Sequence, residues 1–436
     1  MQKTTTLALP FDRPDPLAPP PAYARLRESA PVARVLAPDG RPAWLVTSYD
    51  AVAEVLSDRR YGLAPLGTDI PGNDTLFQDG EAHARLRRLV SKAFGPWSVA
   101  ALRPRVEDLA DAYVSALADG GPPGDLVSGL AAPFSITVIS QLLGVAIGDR
   151  ERFRGLADAA SAADFLFGPE EDLAAAAQAW EALGAYAGEL VAAKRAAPGE
   201  DLLSALVTVR DADDGRLSDA ELIAMVTTIV SAGYLSACNA IATGAIRLLV
   251  EGRLPALAGS SGSSGSSAGQ ANAAGQANAA GQANAAGQAD PAGLADPAGQ
   301  DDPAGRDAVV AEILRMQSGR TGEPFPRYAQ DDLELAGVRI SAGDMVLVRL
   351  EAAHRDPARF PDPDRFRPER RSSPPLVFGH GMHYCLGAPL ARMELAAALA
   401  ALATRLPGLR LKGRAEDIEW TSVGVDVGPK AVHVIW

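Results

Sequence analysis

The run Phe378-Gly379-His380-Gly381-Met382-His383-Tyr384-Cys385-Leu386-Gly387 constrains this chain more than any other stretch. Its glycines let the backbone turn tightly and approach a flat ligand. The helix-like residues 388–402 follow at once. Cys385 therefore meets the positive end of a helix dipole and nearby N–H donors, both of which favour the thiolate. No second cysteine or histidine stands at metal-cage spacing, so zinc is a poor fit. A lone thiolate suits axial ligation of haem iron, where the porphyrin supplies the other donors. The plainer alternative is a buried structural cysteine ahead of a helix.

The chain has 436 residues, a net charge of −13 and 47% hydrophobic content, ample for a core. That acidic balance argues against binding a nucleic-acid polymer. Two cysteines, Cys238 and Cys385, fit a reducing, cytoplasmic setting and leave no disulfide framework. The opening residues contain no apolar h-region, so no secretory leader is expected. Residues 222–246 carry no charge and are long enough to cross a bilayer. Their threonines, serines, glycines and Asn239, with no aromatic belt at either end, read instead as a long helix inside a soluble protein. No membrane partner is expected.

Helical patterns dominate residues 81–94, 99–117, 126–143, 170–194 and 218–250. Strand-like runs appear at 41–48, 331–340, 344–349 and 423–434. Residues 259–305 differ. They open with Gly/Ser repeats and continue in a six-residue period beginning Ala268-Gly269-Gln270-Ala271-Asn272-Ala273. A β-helix of that period needs a regular aliphatic residue, and only Leu294 offers one. The composition fits a flexible insertion between stretches 1–258 and 306–436.

The pattern Phe-x-x-Gly-x-His-x-Cys-x-Gly at 378–387, followed by Ala388-Pro389-Leu390-Ala391-Arg392-Met393-Glu394, resembles the haem loop of the cytochrome P-450 family of bacterial soluble type. The resemblance implies a mainly α fold with small β-sheets. Haem b (iron protoporphyrin IX) would lie between a long central helix and the cysteine loop with its C-terminal helix, ligated by Cys385. Phe378, Gly381 and Gly387 would shape the loop. His83, Arg87, Arg327 and His383 would hold the propionates, which as carboxylates need cationic and N–H partners. Glu312 and Arg315, with Arg365 as a third member, would brace the loop. Electrons would come from ferredoxin and ferredoxin reductase, docking on Arg85, Arg88, Lys92 and Arg392.

The central helix departs from the family pattern. Oxygen-inserting members usually show an acid and then threonine after Ala-Gly-x, as a proton relay. Here Ala232-Gly233-Tyr234 is followed by Leu235 and Ser236. Leucine carries no proton, whereas Ser236 keeps a hydroxyl. This departure, the stretch 345–353 and Trp436 are similar to mycocyclosin synthase and related cyclic-dipeptide coupling enzymes. The first expectation is therefore C–C or C–N coupling of a small aromatic substrate, a tryptophan-containing cyclic dipeptide. The second is a monooxygenase hydroxylating a natural product, with the substrate assisting oxygen activation. The third is a haem sensor or electron carrier.

Overall fold

The structure is a computed structural model that describes residues 7–68, 75–94, 99–161, 170–208, 210–211, 215–258, 305–317, 325–371, 374–421 and 427–436. The six-residue repeat and residues 422–426 of the last strand-like run lie outside them. Helices α1 to α6 cover Pro21–Ser29, Tyr49–Ser57, Gly80–Ala93, Arg103–Asp119, Ala132–Leu142 and Arg150–Ser161. Helices α7 to α12 cover Glu170–Ala196, Leu202–Thr208, Asp219–Val250, Arg306–Met316, Leu350–Ala353 and Ala388–Arg405. The mainly helical reading holds.

Among the described residues, four small sheets accompany the helices. The largest joins β1 (Leu7–Ala8), β2 (Val32–Leu36), β3 (Pro42–Val46) and β4 (Tyr61–Gly62) to two strands from far along the chain. Strands β5 (Gly124–Asp125), β6 (Arg210–Asp211) and β7 (Gly215–Arg216) lie in smaller sheets. The distant partners are β8 (Arg327–Ala329) and β11 (Met345–Val348), separated by the hairpin of β9 (Leu333–Leu335) and β10 (Val338–Ile340). β12 (Arg410–Leu411) and β13 (His433–Ile435) complete the set. β11 pairs parallel with β3, Val346 opposite Trp44, and is buried along its length. The Trp44 indole N–H donates to Asp344 at 2.8 Å and fixes that register. The run 331–340 forms two strands because Ala336 and Gly337, at φ 49° and 79°, turn the chain in the left-handed region that suits a tight hairpin.

Helix α9 is the spine. Ser218 and Glu221 form a reciprocal capping box that sets its start. Beyond it the helix is apolar on nearly all sides, as a core helix must be. Two glycines admit close neighbours. A Cβ at Gly233 would lie 2.8 Å from Ile139 of α5, and one at Gly244 would lie 3.2 Å from both Ile313 of α10 and Leu395 of α12. By length and composition α9 passes as a membrane span. In the fold, Leu222, Val226, Ile241 and Ile246 are buried in the main core.

Glu312 and Arg315 of α10 form a bidentate pair, both contacts at 2.8 Å, with Arg315 only 1% exposed. Arg315 also donates to the His354 carbonyl at 2.7 Å. The His354 ring nitrogen Nε2 in turn accepts from the Leu376 N–H at 2.8 Å. Burial, reinforced by Arg315 and Arg355, pulls the His354 pKa down to about 3. The ring is thus a neutral acceptor, and the ion pair is linked to the turn that enters the cysteine loop. Arg365 is not the third member. Its side chain is exposed and only its carbonyl faces Arg315. Arg370 takes the place, with Nε 3.4 Å from Glu312, and the Arg367 N–H adds a bond of 2.8 Å. Spacing could not tell which arginine of this loop turns inward.

Candidate functional site

The cysteine loop owes its shape to its glycines. Gly379 and Gly381 have φ of 77° and 71°. A Cβ on Gly381 would sit 2.7 Å from Ser57 Cα and 3.0 Å from the Leu56 carbonyl at the end of α2, so nothing larger fits. The Cys385 N–H donates to the Phe378 carbonyl at 2.8 Å and closes the loop. Gly387 is the N-cap of α12, and a Cβ there would lie 3.8 Å from the Cys385 sulfur. The sulfur is accessible yet deep within the protein, as a side chain lining an internal cleft is. Burial pushes its pKa up, opposed by the N–H groups of Gly387 and Ala388 and by Arg87 and Arg392. Helix end and loop alone therefore do not secure the thiolate. Coordination to a metal ion does.

Helix α3 meets this loop. The ring centroids of its His83 and of His383 lie 4.3 Å apart, tilted by 37°. His83 is 3% exposed, and its Nε2 is buried without a partner among the described residues. Burial, then the charges of His383 and Arg87, lowers its pKa to about 4. One turn on, Arg87 donates to the Tyr384 carbonyl. Arg327 opens β8, 5% exposed, bonded to the Phe325 carbonyl at 2.8 Å, and burial lowers its pKa to about 10. Among the described residues neither Arg87 nor Arg327 pairs with a carboxylate. Sequestered guanidinium groups of this kind call for an anion. An unpartnered imidazole, two such arginines and an accessible sulfur together fit the propionates and iron of haem.

On α9, Ala232 is exposed although it lies mid-helix, and Gly233, Leu235 and Ser236 are partly so. Positions 232, 235, 236 and 239 share one face. Ser236 Oγ donates to the Ala232 carbonyl at 2.5 Å, which leaves its lone pairs free to accept. Tyr234 points elsewhere, donating to Asp158 of α6 at 2.7 Å.

Several parts of this region were not foreseen. Asp79 belongs to the cluster through His383, and the sequence gives only a helix-start signal for it. Asn239 packs so closely on the Gly428 backbone that a Cβ at 428 would fall 1.9 Å from its Oδ1. Arg85 pairs with Glu221, and Arg392 stacks 4.7 Å from the Phe378 ring, so both have roles inside the fold.

Fold and site define a haem-thiolate oxidoreductase. Comparison with known proteins agrees. The sequence profile of the cytochrome P-450 family matches residues 306–406. Mycinamicin IV hydroxylase/epoxidase of Micromonospora griseorubida is 35% identical over 98% of both chains. Nocardicin C N-oxygenase of Nocardia uniformis subsp. tsuyamanensis is 35% identical over the whole of both. The crystal structure of the LnmA hydroxylase of the leinamycin pathway of Streptomyces atroolivaceus S-140 superposes with a TM-score of 0.81, at 34% identity, covering 99% of this chain and 100% of that one. The chain belongs to the cytochrome P-450 family, is an enzyme, and uses haem b. These relatives are named for hydroxylation, epoxidation and N-oxygenation. They do not support the narrower likeness to cyclic-dipeptide coupling enzymes, and they set aside the sensor or carrier reading.

Proposed function

We propose that the protein is a cytoplasmic monooxygenase of natural-product metabolism, placing one oxygen atom from dioxygen into its substrate and releasing the other as water. Two electrons and two protons balance the reaction. Bound haem supplies the iron at which dioxygen is activated. The observation that carries the reading is Ser236, whose hydroxyl is committed to Ala232 and presents acceptor lone pairs on the accessible face of α9. Ala232 leaves room beside it. Cys385 would ligate the iron, while His83, Arg87, Arg327 and His383 would hold the propionates. Leu235 supplies no proton, so a substrate hydroxyl or an ordered water at Ser236 takes that part. Ferredoxin and ferredoxin reductase supply the electrons, docking near Arg88 and Lys92 of α3. The names of the relatives support oxygen insertion.

Leu235 favours one second reading, oxidative coupling of an aromatic substrate such as a cyclic dipeptide, in which no oxygen enters the product. Turnover under oxygen-18 gas separates the two. A labelled product is the expected result, and an unlabelled dimer or dehydrogenated product would hand the case to coupling.

A further inference from the structure

We propose that Asp79 is the positioning residue of the haem-propionate cradle, acting through His383. The inference rests on the assignment of His83, Arg87, Arg327 and His383 to the propionates.

Asp79 is the N-cap of α3, yet its carboxylate makes no capping bond. Its oxygens go to other elements. Oδ1 accepts from His383 Nε2 at 2.9 Å, and Oδ2 accepts from the Leu63 N–H at 2.6 Å. Leu63 directly follows β4, which pairs with β8 at Gly62 and Tyr328, next to Arg327. One short side chain thus joins the three elements that carry all four donors: α3 with His83 and Arg87, the cysteine loop with His383, and the β4–β8 ladder with Arg327.

The consequence is geometric. The bond to Asp79 sets the plane of the His383 ring, and the His83 ring lies against it, tilted by 37° with the centroids 4.3 Å apart. With Nε2 bonded to Asp79, Nδ1 is the His383 nitrogen left for a propionate, to which it donates only from a ring carrying both protons, and His83 has its unpartnered Nε2. Partners that orient first-contact ligands typically change affinity 10- to 100-fold when removed.

The test is the rate at which the purified holoenzyme loses haem to excess apomyoglobin. Asp79→Ala is expected to lose haem about 10-fold faster, and Asp79→Asn, which keeps one acceptor oxygen, at an intermediate rate. Arg327→Ala is run in parallel. If Asp79 acts through His383, adding Asp79→Ala to a His383→Ala background accelerates loss much less than it does alone. Thermal unfolding of each apoprotein accompanies the series, and Asp79→Asn carries the test if the alanine variant does not fold. Haem loss from Asp79→Ala at the native rate, with Arg327→Ala faster, overturns the role of Asp79 and leaves the cradle standing. Native rates in both overturn the cradle assignment itself. Full additivity with His383→Ala overturns the route through that ring.

Discussion

Replacing Gly381 with alanine tests the account of the cysteine loop most sharply. The new Cβ would stand 2.7 Å from Ser57 Cα and 3.0 Å from the Leu56 carbonyl, both backbone atoms that cannot swing aside. The φ of 71° costs about 1–2 kcal/mol for a residue with a Cβ, and forcing the loop from α2 adds roughly 1–3 kcal/mol. The sum is about 2–5 kcal/mol. Two neighbours calibrate it. At Gly379 the φ of 77° and ψ of −170° lie in a region almost exclusive to glycine, for about 1–3 kcal/mol, but the nearest atom is 3.5 Å away and no clash is added. Gly387, at φ −80°, carries neither penalty, and its Cβ would merely touch the Cys385 sulfur at 3.8 Å. Urea unfolding, with the haem-to-protein ratio of each purified variant, should rank the losses Gly381→Ala, then Gly379→Ala, then Gly387→Ala. Gly387→Ala should alter the haem spectrum more than the stability. A Gly381→Ala protein within 1 kcal/mol of the native one, or matched by Gly387→Ala, would refute the reasoning.

Three further outcomes are expected. Cys385→Ser should abolish both turnover and the red-shifted Soret band of the ferrous carbon monoxide complex, and retention of either would break the assignment of the ligand. Burial pushes the Asp125 carboxyl up, but bonds from the Ser128 hydroxyl and the N–H groups of Val432, Val127 and Ser128 outweigh it and hold the pKa below 3.8. A lowered folded pKa contributes stability above the unfolded value that is lost as pH falls through the folded one. Asp125→Asn should therefore flatten the decline in melting temperature below about pH 4, and an unchanged slope there would count against it. Shortening 259–305 to a few Gly/Ser residues should preserve haem content, since its composition offers no apolar face; loss of haem uptake would show that the segment matters to the fold.

The sequence made the helices and the cysteine loop legible because both rest on local rules. Residues 222–246 form a long stretch without a charge inside a helical pattern, and the structure returns Asp219–Val250. The glycines at 379 and 381 announced a loop that only glycine can make. Contacts between distant segments were the hidden part. Arg370 instead of Arg365 completes the Glu312 cluster, because the turn that aims it inward is not written in residue spacing. Asp79 was passed over, since nothing local says that its carboxylate reaches residue 383. The thiol of Cys385 was expected to be acidic from the helix dipole, a local term, whereas burial, a property of the whole fold, outweighs it.

The pairing of β3 with β11 also governs when this molecule can come into being. Trp44 and the Asp344 that fixes its register are 300 residues apart. At ribosomal speeds of roughly 5–20 residues per second, the first strands wait about 15 to 60 s for their partner to emerge. His83 and Arg87 wait about as long for His383 and Cys385, which emerge later in synthesis. The cofactor cleft is consequently completed only when the last tenth of the chain is being made. Until then the edge of β3 that faces away from β2 stands unpaired, exposed to any other nascent chain nearby.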